Sequence, residues 1–308
     1  MNKGRIVKST GSWYEVWTSG NKNPVTISCR LPGRFRLQQH NRTNPLAVGD
    51  WVKVVENEDG TGTIVDIEER ENALPRITKR GNFVEQIIAA NIDQAVAIQS
   101  IKQPRVKQGF IDRFLVTCEA YDIDPLLILN KTDLADDKAQ NMMDHYRKMY
   151  SELGYRMLFT SMNNEASLRS LKSELKGKTS VFLGHSGVGK SSLLNALDPS
   201  LNLKIGEISK ANEKGKHTTT YAELIALRFG GWLIDTPGIR EFGLMNIYPR
   251  ELWLYFPEIK QYGNDCKFPD CQHVHEPGCA VMQALEEGHI DPDRYESYLN
   301  ILESLQEN

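Results

Sequence analysis

The sequence predicts a multidomain α/β protein: a small β-barrel over residues 1–72, a mainly parallel sheet layered with helices over 73–245, and a helical metal-binding segment over 246–308. Three observations predict it. Short segments rich in Val, Ile, Thr and aromatics crowd the N-terminal stretch. After it, short apolar runs alternate with stretches of helical length. Near the C-terminus, Cys266, Cys271 and Cys279 cluster with His273 and His275.

The predicted barrel strands are Trp13 to Trp17, Val25 to Leu31, Asp50 to Val55 and Thr63 to Ile67. Gly11, Gly33, Gly49 and Asp59-Gly60 punctuate them. Several short strands in so few residues suit an OB-like barrel. Residues 1–49 also carry eight Lys/Arg (Lys3, Arg5, Lys8, Lys22, Arg30, Arg34, Arg36, Arg42) against one acid, Glu15. Such a basic barrel fits single-stranded nucleic acid. The competing reading is a structural barrel with a solvated basic face. Lys3, Arg5, Arg30, Arg34, Arg36 and Arg42 are the RNA-contact candidates. Phosphate contacts of this kind weaken in high salt.

From about residue 74 the pattern changes. Ala95 to Ile98, Leu126 to Leu129, Met157 to Phe159, Val181 to Leu183 and Trp232 to Ile234 are short apolar runs, with predicted helices such as Ile111 to Tyr121 and Ala139 to Leu153 between them. Alternation of this kind predicts a parallel sheet. Such sheets bind ligands beyond the carboxyl ends of their strands. Three motifs fall on that edge, and their order is informative. Asn130-Lys131-Thr132-Asp133 comes first. Gly184-His185-Ser186-Gly187-Val188-Gly189-Lys190-Ser191, followed by Ser192, comes second. Asp235-Thr236-Pro237-Gly238 comes third.

The second motif matches the phosphate loop G-x-x-x-x-G-K-[ST], with a strand before it and a predicted helix, Ser191 to Leu197, after it. Its glycines let backbone N–H groups curl around a β-phosphate. Lys190 would reach the β- and γ-phosphates and assist their transfer, and Ser191 would ligate Mg²⁺. The helix N-terminus adds partial positive charge. Asn130-Lys131-x-Asp133 is weak alone, since polar residues after a strand commonly form a turn. Beside a phosphate loop it reads as a guanine-binding loop. The Asp133 carboxylate would accept from guanine N1–H and the 2-amino group, Lys131 would lie along the base, and Asn130 would brace the loop. Ser161-Met162 follows a strand where a last base contact is expected; a helix-cap reading competes. Asp235 would hold Mg²⁺ and the Gly238 N–H would meet the γ-phosphate. Lys214 to Thr220 falls at the interval expected of switch I, whose Thr218 or Thr219 would complete the Mg²⁺ shell. In an ordinary small GTPase the phosphate loop leads and N-K-x-D comes late. This order therefore predicts a circularly permuted P-loop GTPase domain.

Composition sets the frame. The chain has 308 residues, 40% hydrophobic and 25% charged, as in a soluble multidomain protein. No run approaches a membrane span, and Met1 to Trp17 lacks a signal-type apolar run. A cytoplasmic protein with no membrane partner is expected. Five cysteines in that compartment predict no disulfide framework. Cys29 and Cys118 read as buried thiols. Residues 246–308 carry twelve acids against four Lys/Arg, so protein contact is as plausible there as a broad phosphate footprint.

Taken together, N-K-T-D, then G-x-S-G-V-G-K-S-S-L-L-N, then G-K-H-T-T-T, then D-T-P-G resembles the RsgA (YjeQ) family of circularly permuted bacterial GTPases. Ile111-Asp112-Arg113-Phe114-Leu115-Val116, the barrel and the Cys/His cluster extend the resemblance over nearly the whole chain. It implies a GTPase that acts in late maturation of the small ribosomal subunit and is stimulated by that subunit; a monomeric chain whose basic barrel contacts rRNA is expected. An RNA-binding module with a vestigial nucleotide site is one alternative; a GTP-dependent factor for another RNA is a second. Intact Lys190, Ser191, Asp235 and Asp133 argue against the first.

Two further expectations concern chemistry. Ile239 occupies the position after the D-x-x-G glycine, where Ras-type GTPases place a water-orienting Gln. An aliphatic side chain cannot orient water, so slow intrinsic turnover is expected. His217 is the internal candidate for the missing catalytic group. Cys266, Cys271 and Cys279 with one histidine make a closed Cys₃His set, which reads as structural zinc. His273 and His275 compete for the fourth position; the family spacing favours His273.

Overall fold

The computed structural model describes residues 1–10, 12–18, 25–33, 35, 45–80, 82–203, 222–235 and 247–307. Five strands form a closed barrel: β1 (Asn2–Ser9), β2 (Tyr14–Thr18), β3 (Val25–Arg30), β4 (Trp51–Glu56) and β5 (Gly62–Ile67). Their order is β1-β2-β3-β5-β4, and a β1–β4 pairing closes the ring. Closure leaves no free edge. Alternate residues point inward, so Ile6, Tyr14, Val16, Cys29, Val52, Val54 and Ile64 fill the interior. Burial pushes the Cys29 thiol up to about 11, as suits a packing residue. Strands β6 (Ala73–Arg80) and β7 (Asn82–Ala90) then form a separate two-stranded ribbon.

The α/β sheet uses β8 (Gln94–Ser100), β9 (Asp124–Asn130), β10 (Arg156–Phe159), β11 (Thr179–Leu183), β12 (Glu223–Ala226) and β13 (Trp232–Asp235). Their order is β10-β9-β8-β11-β13-β12, parallel throughout except that β12 runs antiparallel to β13. Strand β1 pairs with β12, so barrel and sheet form one continuous eleven-stranded surface. The helices are α1 (Gln108–Ala120), α2 (Asp137–Glu152), α3 (Glu165–Leu175) and α4 (Lys190–Leu197). The strand period of two sends Ala95, Ala97, Leu127 and Leu129 toward α1 and α2. Val96, Ile98, Leu126 and Ile128 pack with α3 and α4 on the other face. A sheet covered on both faces explains its unbroken apolar runs.

A 3₁₀ stretch, Pro249–Tyr255, leads to α5 (Pro257–Gly263), α6 (Ala280–Glu286) and α7 (Pro292–Gln306). Ile247, Leu252, Phe256, Ile259, Val281, Tyr298 and Ile301 form their own core, and Val116 of α1 is built into it. Helix α1 is thus shared between the sheet and the C-terminal helices. Among the described residues, no helix is long and apolar enough to cross a membrane.

Candidate functional site

The loops after β8, β9, β10 and β11 meet at one edge of the sheet. The phosphate loop leaves β11 at Gly184, where an added Cβ would stand 2.5 Å from the Ile98 carbonyl oxygen. At Gly189 φ is 93°, and a Cβ would lie 2.5 Å from Asn130 Nδ2. Glycine is therefore required both by conformation and by the closeness of the two loops. Between them, Val188 is fully buried and anchors the loop in the core under α3 and α4. Helix α4 begins at Lys190. Its first N–H groups and the nearly buried Ser191 face the loop's concavity, the arrangement that binds phosphate.

Asn130 braces this assembly. Its Nδ2 donates to the Val188 carbonyl at 3.0 Å, and its Oδ1 accepts from Thr160 Oγ1 at 2.9 Å. Lys131 adopts a left-handed φ of 61°. Its ammonium donates to both the Gly187 and Gln103 carbonyls at 2.6 Å, tying the loop after β8 to the phosphate loop. Thr132 donates from its backbone and its hydroxyl to the Thr160 carbonyl. Ser161 Oγ donates to Asp133 Oδ1 at 2.6 Å and fixes the rotation of that carboxylate. The carboxylate keeps acceptor capacity for two donors on a base edge. Exposed Met162 and Leu134 add apolar surface on these loops.

Sequence reasoning missed several parts. Thr160 carries no motif signal, although it clamps both Asn130 and Thr132. The Lys131 ammonium has a structural role beyond lying along a base. Phe110 of α1 rests against His185 of the phosphate loop, ring centroids 4.8 Å apart; nothing in local sequence marks that pair. His217, Thr218, Thr219, Gly238 and Ile239 lie outside the described residues, as does the side chain of Asp235.

Beneath the C-terminal helices, the ligand atoms of Cys266, Cys271, His273 and Cys279 all lie within 4.8 Å of one another. Cys266 Sγ is 3.8 Å from Cys279 Sγ, and His273 Nδ1 is 3.4 and 3.5 Å from these two sulfurs. A tetrahedron with Zn–S of about 2.3 Å and Zn–N of about 2.0 Å has edges of roughly 3.5–3.8 Å. The set therefore fits a tetrahedral thiophilic cation. Burial pushes the Cys271 thiol up to about 12 and raises Cys279 as well. Ionising such thiols together calls for a cation among them. His273 also has a left-handed φ of 60°, and its Nε2 is buried without a hydrogen-bond partner. The ring of Trp253 packs edge-on against it, centroids 5.6 Å apart. Glu276 holds the loop: burial opposes its charge, but backbone N–H bonds from Gln272, Val274 and His275 prevail and bring it down to about 2. His275 itself is exposed.

The basic face needs one correction. Arg5 is only 5% exposed. Its guanidinium donates to Thr179 Oγ1 at 2.8 Å, to the Asn91 carbonyl at 2.7 Å and to the Gly49 carbonyl at 3.3 Å. It pins the barrel to the sheet and is not available to a phosphate. Lys3 is exposed beside Trp51 and pairs with Glu68 at 2.7 Å. Arg30 stacks over Trp13 at 4.1 Å. Arg34, Arg36 and Arg42 lie outside the described residues.

A phosphate loop on the fourth of six chain-ordered strands, facing an N-K-x-D loop on the second, defines a circularly permuted P-loop GTPase. The chain matches the family model for the RsgA GTPase over residues 67–245 and that for the RsgA N-terminal domain over residues 3–64. The small ribosomal subunit biogenesis GTPase RsgA of Phocaeicola vulgatus is 44% identical over 305 residues, 99% of this chain and 97% of the relative. Its counterpart in Flavobacterium johnsoniae is 44% identical over 310 residues, 99% and 94% of the two chains. Among solved structures, YjeQ from Thermotoga maritima superimposes with a TM-score of 0.80 at 34% identity, covering 100% of this chain and 99% of that one. YloQ, a circularly permuted GTPase, gives 0.78 at 34% identity, covering 100% and 96%. The chain belongs to the RsgA family and is a GTP hydrolase.

Proposed function

We propose that this GTPase binds the small ribosomal subunit, assists its late maturation, and hydrolyses GTP to GDP and phosphate faster when bound there. One observation carries the reading: the phosphate loop and the guanine-type loop are hydrogen-bonded into one pocket, in a chain whose close relatives are named for small ribosomal subunit biogenesis. Three units divide the work. The barrel, 1–72, contacts rRNA through Lys3, Arg30, Arg34, Arg36 and Arg42. The G domain, 73–245, binds GTP. The segment 246–308 is held by one zinc ion. The chain acts as a cytoplasmic monomer.

In the pocket, Asp133, with Ser161 and the Met162 backbone, reads guanine. Residues Gly184 to Ser192 cradle the phosphates. Mg²⁺, held by Ser191, Asp235 and Thr218 or Thr219, would neutralise charge on the β- and γ-phosphates. The Gly238 N–H meets the γ-phosphate. His217 orients the attacking water in place of the Gln that Ile239 replaces. GTP hydrolysis measured with and without purified small subunits tests the whole reading; absence of stimulation rejects the ribosomal assignment. His217→Ala is expected to cut subunit-stimulated turnover about 10²-fold and to leave GTP binding intact. Unchanged turnover rejects that role.

Zinc rests on the four-ligand geometry. Elemental analysis should find one zinc per chain. Cys279→Ser, or a strong chelator, is expected to melt the short helices α5 and α6, since zinc binding in such small units is itself the folding energy. A chain that keeps its full helical circular dichroism after metal loss would argue against a structural role.

A further inference from the structure

Helix α1 joins two places that are far apart in sequence. At its N-terminal end it touches the phosphate loop. Phe110 packs on His185 with ring centroids 4.8 Å apart. In the loop leading into the helix, Pro104 Cδ would lie 3.5 Å from a Cβ on Gly187. The Gln103 carbonyl shares the Lys131 ammonium with the Gly187 carbonyl.

Two residues past Phe110, the same helix enters the C-terminal core. Asp112 is fully buried, and its Oδ1 accepts from Arg294 Nη1 of α7 at 2.5 Å and from Tyr150 Oη of α2 at 2.8 Å. Arg294 Nε in turn donates to Glu258 of α5 at 2.6 Å. Arg113 Nη2 donates to Ser304 Oγ of α7 at 2.9 Å. A buried, bidentate ion network has strict geometry, so moving one partner in a close-packed interior strains the others.

We propose that α1 is a positioning element of the nucleotide site: Phe110 sets the phosphate loop through His185, and Asp112–Arg294 makes that setting depend on how α7 is seated. A force on the C-terminal helices, such as docking to a large partner, thereby alters nucleotide affinity. Phosphate-loop N–H groups act over hydrogen-bond distances, so shifts of tenths of an ångström register as affinity. The inference rests on the phosphate loop being the nucleotide site.

The test is a double-mutant cycle read by fluorescent GDP binding, with melting temperature recorded for every variant. Wild-type binding must be seen first; its absence would reject the site, not the lever. Phe110→Ala is expected to raise the Kd about fivefold. Asp112→Ala removes both accepted bonds, from Arg294 and from Tyr150, and should raise the Kd by a similar factor. The two effects should not multiply, because either change cuts the same connection. Phe110→Tyr should restore wild-type affinity. If Asp112→Ala does not fold, Arg294→Lys replaces it, keeping a positive charge but not the fork that spans Asp112 and Glu258. The proposal is overturned if Phe110→Ala binds GDP within twofold of wild type, if the two effects multiply, or if the network variant lowers the melting temperature and leaves the Kd unchanged.

Discussion

Arg294→Met is expected to destabilise the protein by about 3–5 kcal/mol, the cost of leaving buried charge without its partner. Arg294 is 1% exposed and lies between Asp112, which is fully buried, and Glu258, which is 6% exposed. These carboxylates hold its guanidinium well above the usual arginine range despite the opposing effect of burial. Methionine fills the volume but leaves two carboxylates facing one another in an apolar seam formed by Phe256, Tyr150 and Tyr298. Chemical denaturation should show the midpoint falling with little change in slope. Acid should partly rescue the variant, because protonating an orphaned buried carboxylate removes the charge that costs most. The loss is therefore largest near neutral pH and shrinks as pH falls. Replacing all three members with apolar residues is expected to recover most of the stability, since well-packed hydrophobic triads often match buried ion networks. An Arg294→Met variant as stable as the parent at neutral pH would show that the two orphaned carboxylates carry no cost.

That network also marks where sequence reading stops. The alternation of apolar runs and the three loops at the sheet edge were legible because the signal for each is local. A strand is apolar on a short period, and a phosphate loop needs its glycines at fixed spacing. Buried charge gives no local signal. Arg294 sits among acids in a polar helix and reads as surface; Arg5 reads as part of a basic face and is instead a buried pin. Each has a partner more than eighty residues away in the chain. Strand β1 was missed for a related reason. Asn2–Ser9 includes Gly4, Arg5 and Lys8 and lacks clean alternation, yet Gly4 is needed there because a Cβ would lie 2.4 Å from Val16 Cγ1. The β6–β7 ribbon falls where the sequence predicts the start of the α/β region. Pro75, which lies at its register shift, weakens the strand signal. The N-K-x-D loop was recognised, but Thr160, its main support, was invisible because a threonine after a short strand carries no information by itself.

Asp133→Asn is expected to weaken GTP and GDP binding about 10²–10⁴-fold, the loss of two hydrogen bonds to a charged acceptor. The geometry makes the sign specific. Ser161 Oγ donates to Asp133 Oδ1 at 2.6 Å, so in the variant the amide oxygen is drawn to that hydroxyl and the amide NH₂ turns toward the base. Guanine presents N1–H and a 2-amino group on that edge, and a donor then meets donors. Xanthine carries a 2-oxo group in place of the amino group and accepts from the amide. The variant should accordingly bind XDP more tightly than GDP, reversing the parent's preference, while its melting temperature changes little because Asn130, Lys131 and Thr132 keep the bonds that hold the loop. Competition between GDP and XDP for the fluorescent nucleotide measures the ratio directly. A variant that still prefers GDP would mean that Asp133 does not read the base, and the pocket formed with Ser161 and Met162 would need another ligand. With the preference reversed, subunit-stimulated hydrolysis should follow XTP, since the phosphate loop, Lys190 and Ser191 are untouched by the substitution.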